Sequence, residues 1–198
     1  MNATTIERVK RFLPEANRST EEDALIADII ASTTVSLEHW LRRKFEVVAR
    51  TQTFDWMHRR TRLWLPAYPV EASPELELRY DPDHAFGSDT VIDSENYVLA
   101  LEEGVIYFDR WSPFEGYQVV RITWTGGMAA TVDDLETDFP SVVHAATLQV
   151  VHEFRRRRRL DMTSLSIGGA SVGVAGEMGL LKRVEDLLQP FRREAVNA

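Results

Sequence analysis

The side chains best able to bind a metal or move a proton near neutral pH are His39, His58, His84, His144 and His152. None belongs to the helical His-Glu-x-x-His pair of a zinc hydrolase, and there is no cysteine to supply thiolate ligands or a nucleophile. His144 and His152 stand eight apart, so on a helix they share roughly one face, where a packed or solvated histidine is the ordinary outcome. No catalytic residue, metal or cofactor is expected from this set. The stretch Ile167-Gly168-Gly169-Ala170-Ser171-Val172-Gly173-Val174-Ala175-Gly176 comes nearest to a phosphate-binding loop. It lacks both G-x-G-x-x-G and G-x-x-x-x-G-K-[ST], and it follows a predicted helix where a nucleotide loop follows a buried strand. It reads either as a connector that orders against a partner or as a plain flexible linker.

Arg155, Arg156, Arg157, Arg158 and Arg159 are the sharpest local signal. Five consecutive helical residues point in nearly every direction, so they cannot build one groove-reading face. Their guanidinium forks match phosphate oxygens. Yet Glu153 and Asp161 flank the run, and no aromatic residues interleave it as in a base-stacking platform. Three uses stay open: a solvated helix end favoured by the dipole, a protein interface, and contact with DNA.

Behind these residues lies a chain whose hydrophobic period changes twice. Thr4 and Glu7 stand at capping-box spacing before a short helix over 5–13, which Pro14 ends. Ser19 and Glu22 repeat the signature ahead of a long amphipathic helix over 20–44, with Arg42, Arg43 and Lys44 in its last turn. From Val47 to Trp124 the period falls to two. Strands are predicted over 50–56, 62–65, 76–80, 97–101, 105–108 and 119–124, with a tight turn at Glu102-Glu103-Gly104. With no helix between them, the sheet should be antiparallel. Trp56, Trp64, Trp111 and Trp124 on or beside these strands should fill the core. The polar stretch 81–93 reads as a partly mobile loop. Asp138 is placed to cap a second long helix with Pro140 in its first turn, running to about 159 with Val142, Val143, Ala146, Val150, Val151 and Phe154 inward. Residues 163–179 look too rich in glycine for regular structure. A last helix carries Leu180, Leu181, Val184, Leu187 and Leu188 and stops near Pro190. The fold class is α+β.

The 198 residues suffice for one domain with a real core, and the apolar fraction of 44% is ordinary for a soluble protein. The N-terminus has no apolar core of signal-peptide type, and no window approaches the roughly 18 apolar residues that span a bilayer, so a soluble, non-secreted protein with no membrane partner is expected. A net charge of -8 argues against a simple nucleic-acid binder. The distribution says more. Between Glu71 and Asp109 eleven acids face a single base, Arg79, while basic clusters stand at 42–44, 59–62 and 155–159. Such separated charge can pair one copy with the next and set register.

The order of segments resembles the head-to-tail connector, or adaptor, family of tailed bacteriophages and phage-like gene transfer particles. The matching pieces are the helix closing in Trp40-Leu41-Arg42-Arg43-Lys44-Phe45, then Leu65-Pro66-Ala67-Tyr68-Pro69-Val70, then Gly104 to Phe108. Last comes the strand from Val120 to Met128, whose Gly126-Gly127 turn leads into the second helix. The resemblance spans about 23–192 and rests on segment order rather than an invariant signature. The β region and the loops at 81–93 and 163–179 are larger than the family pattern.

The resemblance implies an antiparallel helical core of two long helices and a C-terminal helix, with an antiparallel β region inserted between the long helices. As one adaptor domain, the chain would divide into helices over 1–46, the β region over 47–125, the second long helix over 138–160, a loop over 161–179 and a helix with tail over 180–198. It also implies a ring of identical subunits, commonly twelve, beneath a portal protein, followed by a tail-side connector or stopper. DNA would pass through the channel without specific binding. The place would be the head–tail junction of a virion or phage-like particle made in the cytoplasm of a bacterial host, with no cofactor and no catalysis. Portal or subunit contacts would fall to Arg155 through Arg159, Gly168, Gly169, Gly173, Gly176, Leu180, Leu181 and Val184. Arg42, Arg43 and Lys44 on one copy would face Glu102 and Glu103 on another. The rivals are a nucleic-acid-binding protein using the arginine run, and a hydrolase that would need a clustered acid and base.

Overall fold

The computed structural model describes residues 1–14, 19–57, 60–108, 113–157, 164–167, 170–173 and 179–193. Two compact units emerge: a helical unit, Met1–Arg42 with Thr131–Ala198, and a β unit, Arg43–Ala130, inserted between its halves.

In the helical unit, α1 (Ile6–Arg11) is capped by Thr5, whose hydroxyl accepts the Arg8 N–H at 3.2 Å. The expected cap, Thr4, is one residue off for a tertiary reason. Thr4 is buried and its hydroxyl meets that of Thr147 at 2.8 Å. Because Thr147 already donates to the Val143 carbonyl, Thr4 is the donor of that pair. A 3-10 turn, Thr20–Glu22, leads into α2 (Asp23–Leu41), and Ser19 makes no side-chain cap bond. Helix α2 buries Ile26, Ile30, Thr33, Thr34, Leu37 and Leu41, one stripe at helical spacing. It ends sooner than expected. Arg42 turns left-handed at φ 55, its N–H returning to the carbonyls of Glu38 and His39, so Arg42, Arg43 and Lys44 lie beyond the helix.

Helix α3 (Val132–Asp138) is an element the sequence reading missed. Thr131 accepts the Asp134 N–H at 3.2 Å, while the Asp134 carboxylate accepts the Thr131 N–H at 3.1 Å, a reciprocal capping box. Asp138 therefore closes α3 and does not cap the next helix. Phe139 breaks the path, and Pro140 opens α4 (Pro140–Arg156), where a missing N–H is harmless. All six residues assigned to the inner face of α4 are buried. Three of them, Val150, Val151 and Phe154, meet α1 and α2 in a cluster with Val9, Leu13, Ile26 and Ile30. Helix α5 (Lys182–Leu188) buries Val184 and Leu188 and packs on α4 of its own chain.

Within 163–179 the structure holds a hairpin, not an irregular loop. Strands β7 (Ser164–Ile167) and β8 (Ala170–Gly173) pair antiparallel from Ser164 opposite Gly173 to Ile167 opposite Ala170. Ser-Leu-Ser-Ile and Ala-Ser-Val both alternate with period two, and that pattern outweighs the glycines.

The β unit contains all six predicted strands, each within a few residues of its expected span. One antiparallel sheet has the order β1 (Val48–Trp56), β6 (Gly116–Gly126), β3 (Glu77–Tyr80). The other has the order β2 (Arg62–Trp64), β5 (Val105–Tyr107), β4 (Val98–Ala100). The turn at Glu102-Glu103-Gly104 joins β4 to β5, with Gly104 at φ 60 and its N–H on the Leu101 carbonyl. Inward residues of both sheets share one core, including Trp56, Leu63, Leu78, Ile106, Phe108, Ile122 and Trp124. Gly127 is required where β6 ends: its φ is 155, and a Cβ there would stand 2.2 Å from the Glu46 carbonyl oxygen.

Candidate functional site

The described members of the arginine run, Arg155 and Arg156 in the last turn of α4 and Arg157 at its C-cap, each have a destination. Arg155 donates through Nη2 to the Phe12 carbonyl at 2.9 Å, reaching past the end of α1. Arg157 lies 3.8 Å over the Phe154 ring and forms an ion pair with Glu22 at the start of α2. Those two side chains are only 20% and 24% exposed, so the pair is partly desolvated. Arg156 faces the space between α2 and α4. Arg158 and Arg159 lie outside the described residues. A solvated helix end is thus too plain a description of Arg155 and Arg157, which tie the end of α4 to both N-terminal helices.

This pairing yields a test. Arg157→Glu should destabilise the helical unit by about 2 kcal/mol, the scale of a charged hydrogen bond lost with its partner stranded. Adding Glu22→Arg should restore most of it in urea denaturation. An equally unstable double variant would show that the ion pair is incidental.

Beside the arginines, a groove of about 450 Å³ opens between α2 and α4. Leu25, Ile29 and Leu180 form its apolar part, and Ser32, Ser36, Glu153, Arg156 and Arg157 its polar part. Gln149 shapes one end. Its amide donates to the Gly179 carbonyl at 3.2 Å and to Glu153 at 3.0 Å, while its oxygen accepts the Leu181 N–H at 3.0 Å. The chain entering α5 is thereby clamped to α4. Leu180 and Leu181 remain half-exposed beside the groove, whereas Val184 is fully buried in its own unit. Gly173 ends β8; Gly168, Gly169 and Gly176 lie outside the described residues.

The other basic cluster is divided. Arg42 is exposed at the end of α2. Arg43, in the β unit, stacks 4.0 Å over Tyr68 and donates through Nε to the Tyr68 carbonyl at 3.2 Å. The Lys44 N–H bonds the Pro66 carbonyl. Glu102 and Glu103 stand exposed on the hairpin turn.

The 81–93 stretch, expected to be mobile, is held from within. Asp81 is buried and accepts the N–H groups of Phe86 and Asp83. Arg79 donates to the carbonyls of Phe86 and Gly87, and Arg121 lies 3.9 Å over the Phe86 ring. The Phe86 N–H first, then that of Asp83, hold the Asp81 carboxyl below its usual pKa of 3.8. A lowered folded pKa gives stability that is present above the unfolded value and lost as pH falls through the folded one. Order in 81–93 should therefore persist at neutral pH and weaken below about pH 4. Asp81→Asn should flatten that acid dependence and speed amide exchange in the loop at neutral pH, read by mass spectrometry. The remaining shifts also have plain causes. The Arg79 hydrogen bond lowers Glu77, which in turn raises Arg79; burial raises Tyr97, and the Asp186 hydrogen bond raises Lys182.

His84 places Nε2 2.9 Å from the Tyr117 carbonyl, and the His144 ring lies 6.0 Å from that of Phe12. Among the described residues no group of three or more His, Cys, Asp or Glu could hold a metal ion, and no helix is long and apolar enough to cross a membrane. Gly169-Ala170-Ser171-Val172-Gly173 has the G-x-S-x-G spacing of a nucleophile elbow, which needs a sharp strand-to-helix turn. Ser171 instead stands inside β8, paired across the hairpin with Ser166. Trp56 and Trp124 are buried and Trp64 is half-buried, whereas Trp111 lies outside the described residues.

The fold, an antiparallel β unit inserted in sequence between the halves of a helical unit, has counterparts among solved structures. A chain in the virion of a native gene transfer agent (GTA) particle matches it with a TM-score of 0.60 and 16% identity, over 96% of this chain and 89% of that one. Two GTA necks contain similar chains. The neck of the empty particle, computed with C6 symmetry, gives a TM-score of 0.59 at 17% identity over 90% and 82% of the two chains. The neck of the native particle, computed with C12 symmetry, gives 0.57 at 18% over 94% and 92%. The fold is therefore one used in GTA particles, in agreement with the family resemblance of the segment order. No family model and no curated protein matches the sequence.

Proposed function

We propose that the chain is a structural head-to-tail adaptor. Copies form a ring under a portal, extend the DNA channel and offer a docking surface to the next tail component. The observation that carries this reading is the fold match to a neck computed with C12 symmetry, over nearly the whole of both chains. Twelve identical subunits at the head–tail junction of a phage-like particle, made in a bacterial cytoplasm, are the corresponding assembly. The end of α4, the β7–β8 hairpin and the Leu180-Leu181 entry to α5 form the portal-facing part.

The physics agrees. A closed ring needs two different complementary patches on each subunit, and the acidic 71–109 stretch and the basic end of α4 differ in sign. A net charge of -8 lets DNA slide past, because phosphate contacts dominate such affinity. Two members of the arginine run are engaged with Phe12 and Glu22, which leaves less of it for phosphate than a nucleic-acid-binding role would want.

Native mass spectrometry with and without the cognate portal tests the proposal, followed by electron microscopy of the mixture. Weak self-association alone and a ring on the portal are expected. A tight closed dimer that ignores portal, or steep salt-dependent DNA binding by the isolated chain, would overturn it.

A further inference from the structure

We propose that an aromatic tip of the β unit, Phe114 and Tyr117, seats in the α2/α4 groove of a neighbouring copy. The proposal rests on the ring-subunit reading and names the contact that closes the ring.

The tip is unusual in exposure and in how firmly it is held. Phe114 is 81% and Tyr117 79% exposed, the highest values for large apolar side chains among the described residues. Single exposed apolar residues are normal, whereas two within four positions at the start of one strand ask for a partner. The backbone is held at the Tyr117 end: the Gln118 N–H donates to Asp55 Oδ1 at 2.9 Å, and the Tyr117 carbonyl faces His84 Nε2 at 2.9 Å. Gly116 pairs with Trp56 across a register shift in β1, and Gln118 is left-handed at φ 54, so the strand bends at this point. Such preorganisation lowers the entropy lost on docking.

The groove offers the complementary chemistry. Leu25, Ile29 and Leu180 give an apolar surface for a ring, and Leu25 is 40% exposed. Arg156, Arg157 and Glu153 border it, and Arg157 is already paired with Glu22. Between the two aromatics of the tip stands Glu115, also exposed. A projecting pair of aromatics thus matches a groove with an apolar floor and a mixed polar rim. One surface projects and the other is concave, so the contact is heterologous and can repeat around an axis. Each aromatic can bury about 150–250 Å², an anchor within an interface rather than the whole of it.

The chain has no cysteine, so introduced thiols are the only ones present. Tyr117→Cys and Ser32→Cys, both at exposed sites, are purified separately, mixed on the cognate portal, and oxidised or treated with a short bis-maleimide. A covalent dimer is expected in the mixture at least tenfold above either variant alone. Phe114→Ser with Tyr117→Ser should reduce ring formation at least tenfold while circular dichroism stays unchanged. Rings visible by electron microscopy without the mixed cross-link would overturn the contact and leave the adaptor reading intact. Failure of the unmodified protein to form rings on the portal would overturn both. A cross-link within one chain of the Tyr117→Cys, Ser32→Cys double variant at high dilution would also overturn it.

Discussion

Trp124→Ala should lower the stability of the β unit by about 3–5 kcal/mol. The side chain is 2% exposed and occupies the core between the two sheets, with Phe54 beside it at 6.5 Å. Its Nε1 donates to the Ala67 carbonyl at 2.9 Å. Truncation would open a cavity in β6, the central strand of its sheet, and leave that carbonyl without its donor. Trp124→Phe separates the two effects, because it refills much of the space and loses only the hydrogen bond, about 1 kcal/mol. Urea denaturation gives the magnitude. Amide exchange in β1 and β3, the strands paired with β6, reports the location. Unchanged stability in Trp124→Ala would remove the last strand from the core position described above.

Phe154→Ala should produce an effect of similar size, about 3–5 kcal/mol, in the other unit. Phe154 is 2% exposed in the cluster that joins α1, α2 and α4. It is also the platform under the Arg157 guanidinium, so its loss should loosen the Glu22 ion pair and the groove beside it. Faster exchange is expected in α1 and α2. Ring formation on a portal should fall even at temperatures where the variant stays folded, because the groove is part of the proposed contact. Phe154→Leu should restore most of both properties. A variant that lost stability yet kept full ring formation would separate the core of α4 from assembly.

The inner face of α4 and all six strands of the β unit were legible because each is a run of apolar residues at one period, and the period alone states which side faces inward. Helix ends were harder. Trp40-Leu41-Arg42-Arg43-Lys44 reads as a cationic last turn, yet Arg42 is left-handed and the helix stops before it, with no glycine or asparagine to announce the change. The cap of α1 moved from Thr4 to Thr5 because a partner 143 residues away takes the Thr4 hydroxyl. Helix α3 was missed because seven residues with one buried side chain, Leu135, give little periodic signal. The hairpin of β7 and β8 was hidden by glycines that suggest disorder when read one at a time.

For the proposed interaction surfaces, sequence alone determined the inventory: five adjacent arginines, an acidic middle, a glycine-rich segment and no cysteine. Tertiary structure decided how that inventory is used. It turned Arg157 to Glu22 and Arg155 to Phe12, buried Val184, opened a groove beside Arg156, and left Phe114 and Tyr117 projecting. The reason is reach. Hydrophobic period and charge are local properties, readable within a few residues of where they act. A long flexible side chain takes whichever partner the fold brings near, and for Arg155 and Arg157 those partners lie 143 and 135 residues away along the chain.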